Sequence, residues 1–177
     1  EWTIEGCPEH DPTISISDDR RYGIAWFTQG SVRQGLFYAY SDNEGQHFSK
    51  PLAFGELKNL PSHPDILAQG KHVILTWTEF DGKQTQLFVM RSNDGGETWL
   101  SPKPIAKLSA DADFPFLLSN GRGVFVSWNN LSATDNTDCP PITLNNSYGL
   151  LACQQKISSI LTESCRFTWT NRKPSTR

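Results

Sequence analysis

Trp26, Trp77 and Trp128 are separated by 51 residues each time, and this period constrains the fold of the 177-residue chain more than any other feature. The match extends around each Trp. Tyr22, Ile24 and Trp26 recur as Val73, Leu75 and Trp77, then as Val124, Val126 and Trp128. Each triplet alternates along its segment, the period-two pattern of a half-buried strand. A second strand follows in the first two units, where Leu36-Phe37 matches Leu87-Phe88. Ser41, Gly45, Phe48 and Pro51 then match Ser92, Gly96, Trp99 and Pro102. Upstream, Pro12, Pro64 and Pro115 each open a short apolar run; the first of these spacings is 52, so one unit differs in length by one residue.

Within a unit the pattern predicts four short strands, which in the second unit fall at about 65–69, 72–79, 84–91 and 98–105. Gln69-Gly70, Asp81-Gly82 and Asp94-Gly95-Gly96 supply the turns between them, and Asp-Gly between two alternating runs is a strong hairpin signal. A β-sandwich also has short strands and frequent turns. A Trp at one strand position of every unit favours four-stranded antiparallel blades arranged around an axis. The expected fold is therefore all-β, a β-propeller segment with an incomplete ring. At this period six blades need roughly 300 residues; the 177 present supply two blades and part of a third, over residues 1–130.

The composition fits a packed, soluble chain and excludes several function classes. With 37% hydrophobic and 11% aromatic residues, including six Trp, disorder is not expected. A net charge of -3 leaves no basic excess to neutralise phosphates, so no nucleic-acid partner is expected. No apolar run approaches the roughly 20 residues that span a bilayer. Cys7, Cys139, Cys153 and Cys165 lack zinc-ligand spacing, and Cys7 with His10 makes only two isolated ligands; no metal or cofactor is expected. Asn130-Leu131-Ser132 and Asn145-Asn146-Ser147 fit the glycosylation pattern, which has meaning only in a chain secreted by a eukaryote. The chain starts at Glu1 with no charged-then-apolar leader, as expected of a processed product or a fragment.

Ser92-Asn93-Asp94-Gly95-Gly96-Glu97-Thr98-Trp99 fits S-x-D-x-G-x-T-W at every fixed position. Ser41 to Phe48 is a degenerate copy in the same register, with Asn43 for the Asp, Gly45 retained, His47 for the Thr and Phe48 for the Trp. This pair resembles the Asp box, or BNR repeat, of the sialidase-like β-propellers. The opening Trp2-x-Ile4-x-Gly6-Cys7-Pro8 also resembles bacterial members of that family. Physically the motif is local: Ser and Asp side chains accept hydrogen bonds from N–H groups inside their own turn, and Gly96 supplies a positive φ. Trp99 then packs between sheets. Asp94 reads as a turn staple rather than a catalytic acid, and the spacing does not fit a calcium loop.

The resemblance implies a ligand side away from these turns, made of loops that lead into the innermost strands or join the second strand to the third. There the chain holds His10 and Asp11 before Pro12, His63 before Pro64, and Asp113 before Pro115. Arg33 lies in the first unit's second-to-third loop, and Glu79 ends a strand after Trp77. Such polar side chains suit hydroxyl-rich ligands, although the same residue types before Pro are ordinary turn formers. Sialidases of this family hydrolyse terminal sialic acids. The resemblance implies an arginine triad on the substrate carboxylate, a Tyr nucleophile assisted by a Glu, and an Asp acid/base. The early F/Y-R-I-P motif is absent, and Arg20, Arg21, Arg33, Arg91 and Arg122 match no triad. Tyr38 and Tyr40 read as strand packing residues, so the catalytic residues are unknown.

The repeat fails after Asn130: the register places another turn motif near position 143, where Thr143-Leu144-Asn145-Asn146-Ser147 stands. Residues 131–177 read as a divergent tail, with a short helix expected over 151–163. Three accounts of the tail remain: a divergent extension, a replaced native ending, which fits the abrupt change best, or an outer strand that closes the sheet. The expected function is a sialidase-like carbohydrate-recognising module that binds a glycan or other small polar ligand and does not catalyse as this chain alone. The alternatives are an exo-sialidase and a protein-interaction propeller that contacts another chain, or missing blades, through open blade edges. A secreted or periplasmic location is implied by the resemblance alone.

Overall fold

The computed structural model describes residues 11–108, 114–120 and 123–128, together with the backbone of two short strands within 141–153. It is all-β, with a single short 3₁₀ turn at Leu57–Asn59 among the described residues. The first sheet has strands β1 (Thr13–Ile16), β2 (Tyr22–Gln29), β3 (Gln34–Ser41) and β4 (Leu52–Phe54) in sequence order. The second has β5 (Ser62–Gln69), β6 (His72–Phe80), β7 (Thr85–Ser92) and β8 (Lys103–Leu108), also in sequence order. Both are antiparallel meanders, and the sequence period reappears as register. Trp26 lies opposite Phe37 as Trp77 lies opposite Phe88, and Tyr22 opposite Ser41 as Val73 opposite Ser92.

The third sheet keeps only its first hairpin, β9 (Phe116–Ser119) against β10 (Val124–Ser127). Two strands from the expected tail complete it in the order β11-β12-β10-β9. Here β11 (Pro141–Ile142) is outermost, and β12 (Leu150–Cys153) lies parallel to β10. The expectation of a helix from 151 is corrected over 151–153: the apolar Leu150-Leu151-Ala152-Cys153 run satisfies the free edge of β10, where unpaired backbone groups would otherwise face solvent. The rest of that predicted helix lies outside the described residues.

A second correction concerns β8. Expected from residue 98, it begins at Lys103. Thr98 and Trp99 belong to the preceding turn, which holds the Thr98 N–H and hydroxyl on Asp94, and the Leu100 N–H closes back onto the Arg91 carbonyl at 2.9 Å.

The sheets stack face to face, and each interface is one hydrophobic core. Between the first and second sheets, Ala25, Phe27, Leu36, Tyr38 and Phe54 meet Ile66, Val73, Leu75, Trp77 and Met90. Trp77 is the anchor: it is 1% exposed, stacked on Phe88 at 5.6 Å and edge-on to Phe54 at 5.1 Å. Between the second and third sheets, Leu87 and Val89 meet Leu117, Val124, Val126 and Trp128. The innermost strands are laced by polar contacts. Asp65 on β5 accepts from the Thr13 hydroxyl of β1 (2.8 Å) and from the Leu117 N–H of β9 (2.6 Å). Ser15 accepts from the Ala68 N–H, and the Gln69 amide donates to Ser119. The result is a propeller segment, and among the described residues it does not close into a ring.

Candidate functional site

The strand directions divide the loops between two ends. One end carries the β1–β2, β3–β4, β5–β6 and β7–β8 turns. The other carries the loops that lead into β1, β5 and β9 and those that join β2 to β3 and β6 to β7.

The first end is a set of self-satisfied turns. In the β7–β8 turn the Ser92 hydroxyl donates to Asp94 Oδ1 (2.6 Å) and accepts from the Asp94 and Gly96 N–H groups. The Asp94 carboxylate also takes the Glu97 N–H and the Thr98 N–H and hydroxyl. Donation from Ser92 and Thr98 holds this carboxyl far below the ordinary carboxylate range. The β3–β4 turn repeats the scheme with Asn43: Ser41 donates to Asn43 Oδ1 and accepts from the Gly45 N–H, and the His47 N–H bonds Asn43 Oδ1. Trp99 lies edge-on to Tyr38 of the neighbouring sheet at 4.9 Å. Gly96, at φ 93°, is where Tyr38 crosses the turn; a Cβ there would collide with the Tyr38 ring and hydroxyl. Phe48, the repeat partner of Trp99, is 45% exposed, because no described sheet packs on that side.

Arg21, which the sequence analysis weighs only as a triad arginine, clamps these turns together. Its guanidinium donates to Asp42 (2.5 Å), to Glu97 (3.0 Å) and to the Asp94 and Gly95 carbonyls, and it sits 4.4 Å over the Tyr40 ring. No repeat signals it, since position 72, one period later, holds His.

The second end carries the candidate ligand rim. Asp11, His63 and Phe114 occupy one position on three successive sheets, each directly before a Pro. Asp11 is exposed. His63 has a positive φ of 50° within the bulge between Ser62 and Asp65, a conformation uncommon for a non-glycine residue. That turn lays its imidazole against the Phe114 ring, with centroids 4.0 Å apart. Its Nδ1 lies 3.4 Å from the Ser62 hydroxyl and 3.5 Å from that of Thr78. Arg33, half-buried, stands in the β2–β3 loop at the same end. His10 and Asp113 lie outside the described residues.

Glu79, expected at the rim, lies at the end of β6 at this same end of the strands. It is 5% exposed, and its carboxylate is already engaged by the Trp77 indole N–H (2.9 Å), the Glu56 N–H (3.0 Å) and the Asn59 amide (3.0 Å). It ties the core tryptophan to the loop that crosses from the first sheet to the second. Asp65, likewise unforeseen, is an inter-sheet tie, and only its isolation as an acid inside an apolar run hinted at this. Among the described residues, no group of three or more His, Cys, Asp or Glu could hold a metal ion, and no helix is long and apolar enough to cross a membrane.

No family model matches the chain. It is similar to a curated protein named Sialidase from Bacteroides fragilis (strain YCH46), at 32% identity over 138 aligned residues that cover 62% of this chain and 25% of that protein. The chain thus spans about a quarter of the length of the curated relative it matches. This supports a sialidase-like relationship.

Proposed function

We propose that this chain is a sialidase-like carbohydrate-recognising β-propeller module that binds glycans at the Asp11–His63–Phe114 rim and does not cleave them by itself. The observation that carries this reading is the similarity to a protein named Sialidase, in a chain whose rim position is polar or aromatic on all three sheets. In this reading the Ser41–Phe48 and Ser92–Trp99 turns are Asp boxes, a structural device at the opposite end. Apolar C–H faces of a sugar pack on the imidazole–phenyl pair, while Asp11 and Arg33 exchange hydrogen bonds with hydroxyls or a carboxylate.

The case against catalysis by this chain rests on the groups present. Glu79 is committed to three N–H donors inside the fold. The Tyr38 phenol is buried against the neighbouring turn, and burial pushes its ionisation well above the ordinary value, the opposite of an activated nucleophile. Titration of the chain with sialylated and neutral oligosaccharides, followed by calorimetry, tests the proposal. We expect His63→Ala and Arg33→Ala each to weaken binding by about tenfold, the loss of one good contact; unchanged affinity in both variants would overturn the rim assignment.

The name of the matched protein also favours a second reading, in which this segment belongs to a longer exo-sialidase. A longer polypeptide carrying the segment would then release a fluorogenic aglycone from a sialoside, and no turnover across the acidic-to-neutral range would remove that reading.

A further inference from the structure

His63 is the most constrained residue of the rim. Its φ is positive, and it stands directly before Pro64, which pushes the residue ahead of it toward extended backbone. Asp11 and Phe114 precede their own Pro residues without a positive φ. Strain of this kind persists only where the surroundings over-determine it. Its source is the bulge: Ser62 pairs with Thr78 and Asp65 with Thr76, so His63 and Pro64 both lie opposite Trp77. Bulges re-aim side chains, and this one turns the imidazole onto the Phe114 ring.

Two hydroxyls close the bulge. Ser62 Oγ lies 3.1 Å from Thr78 Oγ1, and the Thr78 hydroxyl donates to the Ser62 carbonyl at 3.3 Å. Both oxygens face one atom of the ring, His63 Nδ1, at 3.4 and 3.5 Å. Thr78 is 2% exposed and pairs with Leu87 of β7, so the sheet fixes its position and not the loop. The fold itself does not ask for a hydroxyl there. One period earlier the same strand position is Phe27, a residue of the apolar core, and the first sheet has no strained residue before its Pro. The hydroxyl stands where the bulge stands. We propose that Thr78, together with Ser62, is the positioning residue of the rim: the buried hydroxyl pair holds the His63 imidazole against Phe114, and glycan affinity depends on it although no glycan reaches it. This rests on the reading of His63 as a rim group.

Thr78→Val keeps the β-branched shape and removes the hydroxyl, whereas Thr78→Ser keeps the hydroxyl. Proton NMR of the purified chain reads the ring directly. The His63 ring resonances, identified as those absent from His63→Ala, carry a ring-current shift from Phe114 that Phe114→Leu removes. Thr78→Val should move them toward their values in Phe114→Leu, and Thr78→Ser should leave them near wild type. In calorimetry with sialyllactose and with lactose, Thr78→Val should weaken binding about fivefold and Thr78→Ser should restore it. Should circular dichroism show Thr78→Val unfolded, Ser62→Ala removes the other hydroxyl and is read in the same way. Unmoved His63 resonances without the hydroxyl would overturn the positioning role, and so would weakened binding in His63→Ala with none in Thr78→Val. Resonances that move while His63→Ala binds as wild type, or a wild-type chain that binds neither sugar, would remove the rim reading instead, so the two failures are distinct.

Discussion

Asp94 and Glu79, at opposite ends of the strands, illustrate how carboxylates can be consumed by structure. Asp94 receives hydrogen bonds that favour its charged form, which lowers its folded ionisation below the unfolded value of about 3.9. Its contribution to stability is therefore complete above about pH 4 and is lost as the pH falls further toward the lowered folded value. In thermal unfolding, wild type should lose stability below pH 4, and Asp94→Ala should lose less over the same window while starting from a lower melting temperature near neutrality. At the neighbouring Gly96, a Cβ meets both a positive φ and the Tyr38 hydroxyl, so Gly96→Ala should cost about 3 kcal/mol or more in urea titration. Glu79→Ala leaves the buried Trp77 indole and two further donors unpaired, and should cost about 3 kcal/mol. If that variant unfolded normally yet failed to bind oligosaccharide, Glu79 would belong to the rim after all.

Strands and turns were legible in the sequence to the extent that their physics repeats. The Trp period marked β2, β6 and β10, and Asp81-Gly82 marked the β6–β7 turn, where the carboxylate accepts from the Lys83 and Gln84 N–H groups. The start of β8 was misplaced because Thr98 and Trp99 alternate like a strand while their backbone is held by Asp94, and side-chain capping of a turn leaves no periodicity to detect. The parallel β12 was hidden for another reason: its pairing depends on an edge supplied by β10, which no local pattern in Leu150–Cys153 encodes. At the rim, residue types could be read, but not which carboxylate was spare. Asp65 shows the same gap, since only the stack reveals one carboxylate serving three inner strands. Replacing it by Ala strands the Leu117 N–H and frees Thr13, so Asp65→Ala should lower unfolding free energy by about 2 kcal/mol. A change below a few tenths would show that apolar packing alone aligns the sheets.

For the molecule as a whole, the second sheet alone has both faces covered by other described sheets, and β6 and β7 pair along a continuous ladder on either side of Trp77. Amide exchange should accordingly be slowest there and faster in β1 and β9, each of which has one face that no described sheet covers. Equal protection across the three sheets would mean that a further layer covers the ends. The face-to-face stacking of the sheets also bears on how such a chain grows. An interface that uses the same positions in every unit is written in full within a single 51-residue stretch of sequence. Duplicating that stretch adds a layer that already fits its neighbour on both sides, so copy number can change without any new complementarity having to arise.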